Sequence, residues 1–245
     1  MSERMNGYWT SRLGFILACV GAAVGLGNIW KFPYMAGTQG GGAFVLVYLV
    51  SIFAIATPIA AAELLIGRKG QSDAAGSLAN VAKHAGLRSS FAWIGNLGVF
   101  GAFTLLTFYA VIAGWVSAYV VSALFGELSG LDKQSSGSLF DGLLANPKKM
   151  IIHQIIFLAL LGVILVRNLA KGLERANIIL MPALVIMLIA IAIYGAIVGD
   201  LSAALAFLFT PDFSKITPEA VQSAIGHGFF SVGVGAAMLI TYGAY

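Results

Sequence analysis

Val20-Gly21-Ala22-Ala23-Val24-Gly25-Leu26-Gly27-Asn28-Ile29-Trp30-Lys31-Phe32-Pro33-Tyr34 is the stretch whose reading decides the fold. It lies inside an apolar segment long enough to cross a bilayer, yet three glycines alternate with larger residues and a proline follows. Glycine disfavours a helix interior by about 1 kcal/mol relative to alanine, so this cluster makes a break in the helix a small penalty. A break in lipid leaves N–H and C=O groups without partners and is tolerated only where the backbone is buried in protein or lines a water-filled cavity. A helix that stops near Ala23 and restarts near Asn28 ends its first half in carbonyls and partial negative charge. Its second half then begins with free N–H groups and partial positive charge. One interrupted helix can therefore hold a cation and a carboxylate side by side. The alternative is a glycine-rich face used for close packing against a neighbouring helix.

Outward from this stretch, the 245 residues are 59% hydrophobic and 10% charged, against about 25% charged in soluble domains. This is the composition of an integral membrane protein. Six apolar segments are read as helices from their length, at residues 13–37, 43–66, 92–125, 150–166, 176–199 and 220–245. The segment at 176–199 is nearly uniform in Ile, Leu, Ala and Met, as a lipid-facing helix is. Residues 71–84 read as a short helix along the inner surface. Residues 126–149, with the run Ser135-Ser136-Gly137-Ser138, read as an irregular outer connection. With the N-terminus inside, nine Lys/Arg lie on inner pieces and five on outer ones, which sets a cytoplasmic N-terminus for a multi-pass protein of the cell membrane. The basic balance, with a pI near 9.2, follows from that topology and gives no reason to invoke nucleic acid. The partners it implies are membrane lipid and a small substrate, with the oligomeric state open. The lone Cys19 excludes an internal disulfide and reads as a small packing residue.

The last apolar segment repeats the opening theme, with small residues through Gly226-His227-Gly228-Phe229-Phe230-Ser231-Val232-Gly233-Val234-Gly235-Ala236-Ala237. Paired discontinuous helices at corresponding places in two halves point to a transporter binding site. The chain ends on Thr241-Tyr242-Gly243-Ala244-Tyr245 without the polar flank that closes a span, so an incomplete transporter is expected.

An ordered set of motifs now carries a resemblance. Trp9-Thr10-Ser11-Arg12-Leu13-Gly14, the run from Ala23 to Tyr34, Gly40-Gly41-Gly42-Ala43-Phe44, Glu63, Lys171-Gly172-Leu173-Glu174-Arg175, Thr210-Pro211-Asp212-Phe213, Phe229-Phe230-Ser231 and Ile240-Thr241-Tyr242-Gly243 together resemble the neurotransmitter:sodium symporters, bacterial branch. The resemblance implies an all-α polytopic membrane protein holding the first five-helix repeat and the start of the inverted second repeat, with helices 1 and 6 interrupted. It also implies sodium-coupled symport of an amino acid into the cell by alternating access.

The site residues follow from the same resemblance. The first sodium site matches the Ala23 carbonyl, the Asn28 side chain and Ser231, all hard oxygen donors suited to Na+. The second matches the carbonyls of Gly21 and Val24, its other ligands coming from an eighth helix. The substrate carboxylate meets the N–H groups of Leu26 and Gly27 and the hydroxyl of Tyr109. Gly25, Leu105, Phe230, Gly233 and Ala236 belong to the same substrate site, together with Ala23. Amine-transporting members carry an aspartate at the place of Gly25; its absence here favours a substrate with its own carboxylate. Ala236 stands where some members have Phe or Met, which leaves room for a hydrophobic or aromatic amino acid.

Gate and support residues complete the pattern. Glu63, an acid within an apolar run, either reaches the inner headgroups or faces the interior; by resemblance it braces the interrupted sixth helix. Lys31 replaces the usual outer-gate arginine, keeping the charge and losing the bidentate fork. At the inner gate Arg4 is offset and Asn6 takes the expected position. Gly172 and Pro182 match a pattern of local unwinding in the fifth helix. His227 and Tyr48 match the neighbourhood of a chloride site, and the chloride requirement stays open. Three other readings compete: a six-helix channel or pore subunit, for which no filter motif is seen; an enzyme, for which no Ser/His or paired-Asp arrangement appears; and a non-transporting sensor or scaffold relative.

Overall fold

The computed structural model describes residues 9–167 and 169–245, so Arg4 and Asn6 lie outside the described residues. The described chain is helical, with no strand among the described residues. Its described residues divide into two compact units, one formed by 9–99 and 169–245 and the other by 100–167.

In the first unit, α1 (Arg12–Ala23) begins under the side chain of Ser11, whose hydroxyl accepts the Gly14 N–H. It ends where Val24 turns extended, at φ −86° and ψ 106°. The chain resumes as a π-helical turn, Gly27–Lys31, and continues into α2 (Phe32–Thr38), with Pro33 in the first turn, where its missing N–H is tolerated. The two halves meet at 56°.

The second span runs through α3 (Gly42–Ser51), a π-helical turn at Ile52–Ala56, and α4 (Thr57–Gly70). Then α5 (Ala74–His84) starts on the Asp73 side chain. After it comes α6 (Ala92–Leu124), whose residues beyond Val99 belong to the second unit.

That second unit also contains α7 (Lys133–Leu144) and α8 (Pro147–Leu165). The sequence reading of residues 126–149 as irregular is corrected here. Asp132 and Ser135 form a reciprocal capping box that starts α7, and the Ser/Gly composition hid it. His153 is buried in α8, its Nδ1 3.1 Å from the Ser117 hydroxyl.

Back in the first unit, a π-helical turn at Ala170–Glu174 leads into α9 (Arg175–Val198), which carries Pro182 in its interior. A helix that the sequence reading did not separate, α10 (Leu201–Phe209), is capped by Asp200. The Asp212 carboxylate, held below the usual carboxylate range by hydrogen bonds from Ser214 and by Lys215, shapes the turn before the last segment. That segment is α11 (Pro218–Val232) and α12 (Met238–Ala244) with a break between them.

Among the described residues four stretches are long and apolar enough to cross a membrane, and the bent pair of α1 and α2, taken as one span, makes a fifth. Neither α11, at 15 residues, nor α12, at 7, reaches that length alone. Two small cores fix the broken helices. Met35, Ala36 and Phe44 pack on Ala220 and Ala224, joining α2 and α3 to α11. Ala74 packs with Ala237 and Ile240, joining α5 to α12.

Candidate functional site

The break in the first helix falls at Val24 and Gly25, between the carbonyl end of α1 and the N–H end of the next turn. Asn28 stands one turn beyond it. Its amide nitrogen donates to the Ala23 carbonyl at 2.8 Å, across the break. Its side-chain oxygen accepts the Ser231 hydroxyl at 2.7 Å, and Ser231 in turn accepts the Tyr48 hydroxyl at 2.9 Å. The carbonyl, amide and hydroxyl named from sequence for the first cation site are thus linked in one chain of hydrogen bonds, from α1 through Asn28 to α11 and α3. Tyr48 belongs to that chain as well, a role that sequence reasoning did not give it.

The second break shows the same logic with a different brace. Gly233 and Gly235 take φ of 73° and 83°, a left-handed backbone that glycine adopts without strain, and Ala237 follows at 60°. Glu63 reaches this loop from α4. Its Oε1 accepts the Gly235 N–H at 2.7 Å, while Oε2 is buried without a partner among the described residues. The acid in the apolar run therefore faces the interior, and it satisfies a backbone donor that the break exposes.

Leu26 and Gly27 open the restarted helix, and the first N–H groups of a helix have no intrahelical acceptor. Gly27 is buried, and a Cβ there would collide with the Phe230 ring, so the ring lies directly against this backbone. Phe230 is 37% exposed. His227 sits between Phe32 and Phe230, with ring centroids at 5.7 and 5.8 Å, and its Nε2 is buried without a partner among the described residues. Gly21 and Val24 lie on either side of the end of α1, half-buried, and Ala236 is buried in the second break. Lys31 closes the π-helical turn and is exposed.

Gly172 is buried within the π-helical turn that precedes α9, and Pro182 lies in the α9 interior, where it withholds an N–H. Leu105 and Tyr109 lie on α6 within the second unit, Leu105 exposed and Tyr109 half-buried with its ring edge-on to Phe108 at 6.1 Å. Sequence reasoning quoted Glu174 within the motif Lys171-Gly172-Leu173-Glu174-Arg175 and gave it no role of its own; this acid is 1% exposed.

The family model described as the sodium:neurotransmitter symporter family matches residues 6–135 and 143–245. The chain belongs to this family. Among sodium:neurotransmitter symporter relatives, the uncharacterized sodium-dependent transporter YhdH of Bacillus subtilis is 36% identical over all of this chain and 53% of its own length. An uncharacterized sodium-dependent transporter of Haemophilus influenzae is 32% identical over 97% of this chain and 53% of its own. The crystal structure of MhsT in complex with L-phenylalanine matches at a TM-score of 0.86 and 44% identity, over 97% of this chain and 53% of that one. The chain thus spans about half the length of these relatives. Membership in the sodium:neurotransmitter symporter family makes it a multi-pass membrane protein whose relatives are transporters rather than enzymes.

Proposed function

We propose that this chain forms the site-bearing part of a sodium-coupled amino acid symporter that works by alternating access in the cell membrane, with its N-terminus in the cytoplasm. The observation that carries the reading is the linkage of the Ala23 carbonyl, the Asn28 amide and the Ser231 hydroxyl across two broken helices, at 2.8 and 2.7 Å. These are neutral, hard oxygen donors, the set a monovalent alkali cation takes and a soft metal does not. They fit the first sodium site. Gly21 and Val24 offer carbonyls for a second, at the partial negative end of α1. Bound sodium supplies positive charge beside the place where a carboxylate would lie.

The substrate class follows from the same break. The N–H groups of Leu26 and Gly27 stand at the partial positive end of the restarted helix and suit a carboxylate. Gly25 contributes no side chain of its own, so the negative charge must come with the substrate. Phe230 lies over Gly27, and by the family pattern Ala236 stands where some members carry Phe or Met, with Gly233 close by. That pairing favours a hydrophobic or aromatic amino acid, in keeping with the phenylalanine bound by MhsT. The family pattern adds Leu105 and Tyr109 from α6. Lys31 is the proposed outer-gate cation, Glu63 the brace of the sixth helix, and Gly172 with Pro182 the weak point of the fifth.

The test is binding of radiolabelled leucine, phenylalanine, tryptophan and alanine to the purified protein in sodium or potassium. Sodium-dependent binding of a hydrophobic or aromatic amino acid is the expected result. Asn28→Ala removes the link across the first break and the link to Ser231, and should weaken that binding more than about ten-fold. Undiminished binding by this variant would sink the site assignment.

A further inference from the structure

Glu174 is almost fully buried, and among the described residues its carboxylate takes hydrogen bonds from the entry to α1. Its Oε2 accepts the Thr10 N–H at 3.0 Å. Its Oε1 accepts the Thr10 hydroxyl at 2.6 Å and lies 3.4 Å from the Ser11 hydroxyl. A Cβ at Gly14 would collide with the carboxylate, so the first turn of α1 is shaped to admit it. One and two turns further along, the Asn177 side chain and the Met181 sulfur of α9 lie against Gly21. The outer end of this contact face is Pro182, and its inner end is the π-helical turn itself.

We infer that Glu174 is a positioning residue of the transport cycle, a latch that holds the inner half of α1 against α9. The inference rests on the transport reading above, with the N-terminus on the inner side. Next to the latch, the Trp9 indole N–H donates to the Tyr242 carbonyl at 3.0 Å, and the two rings meet edge-on at 5.4 Å. The start of α1 is therefore held twice, once by a ring contact to α12 and once by a buried carboxylate at the end of the π-helical turn that leads into α9. The break at Val24 and Gly25 leaves the inner half of α1 free to tilt as a body once those holds are released. A charged acceptor with three donors is the stronger of the two holds. Its stretch of backbone is weakened at both ends, which lets α9 yield where the latch is attached.

Cys19, half-buried on α1, is a reporter of that tilt. The experiment measures the rate at which a membrane-impermeant maleimide labels Cys19 in inside-out vesicles, in sodium or potassium, with any other cysteine of the full-length protein replaced by serine. Glu174→Gln keeps the shape and loses the charge. It should label about ten-fold faster than the parent in potassium, the shift expected for losing one hydrogen bond to a charged acceptor. Thr10→Val, which removes only the hydroxyl donor, should label about three-fold faster, and Thr10→Ser should restore the parent rate. Thr10→Val and Thr10→Ser keep the test open if Glu174→Gln does not fold. Labelling of Glu174→Gln and Thr10→Val at the parent rate would overturn the latch. Failure of sodium to slow labelling in the parent, with both variants still fast, would instead count against the sodium-coupled reading and leave the latch standing.

Discussion

Ser231 is small and is asked to do two things at once. Its oxygen accepts from Tyr48 and its hydrogen goes to Asn28, so a single hydroxyl joins α3, α11 and the restarted first helix. Ser231→Ala leaves a phenol and an amide oxygen without their partner in a half-buried place. It should lower thermal stability in detergent by about 1–3 kcal/mol, whereas Tyr48→Phe removes one donor and should cost about 1 kcal/mol. Because the two share one bond, the double variant should lose less than the sum, which a double-mutant cycle of melting curves would measure. Strict additivity would mean that the hydroxyl chain is not a unit. Ser231→Thr keeps both bonds and should leave the melting temperature within a few degrees.

At the scale of helices, the departures from α geometry fall beside the functional residues. Three π-helical turns occur among the described residues, at Gly27–Lys31, Ile52–Ala56 and Ala170–Glu174. Such a turn holds one residue more than an α turn without changing the phase of the helix on either side. Tyr48 and Glu63 lie on opposite sides of the second one, and both face the sixth helix, at Ser231 and Gly235. Deleting Phe53, which is 72% exposed, should therefore relax the turn to α pitch and leave both bonds intact. Deleting Leu64 should be far worse, because it swings the rest of α4 by about 100°. Melting curves of the two deletions would show it; equal damage would mean that the surplus residue is not spare.

Both helix breaks were legible because glycine and proline write them into the sequence, at Gly25 and Gly27 and again at Gly233 and Gly235. Glu63 stood out as a carboxylate among alanines and leucines. The π-helical turns were not legible, since each is set by neighbours that no local pattern names. Nor was Glu174, whose charged flanks imitate a loop. The capping box of α7 was readable at Asp132 and Ser135, and composition overruled it.

Across the whole molecule, topology follows from where the cations stand. Arg68 and Lys69 end α4 and Lys83 ends α5, while Lys148 and Lys149 open α8. Introduced cysteines at the α4–α5 turn should react with an impermeant reagent in inside-out vesicles, and cysteines in α7 in intact cells; the reverse pattern would invert the proposed orientation. The long apolar faces of α8 and α9 are exposed along nearly their whole length, as Ile155 at 59% and Ile186 at 67% show.

Two buried acids among the described residues, Glu63 and Glu174, direct carboxyl oxygens at backbone N–H groups and hydroxyls within the fold, while the pair of Lys215 and Asp212, at 3.1 Å, sits on an exposed turn. Bonds of the buried kind are barely touched by the ionic strength of the medium, because mobile ions do not enter to screen them. The melting temperature should stay flat as potassium chloride is raised, and the first rise on exchanging potassium for sodium at constant ionic strength would then report occupied sites rather than a salted surface.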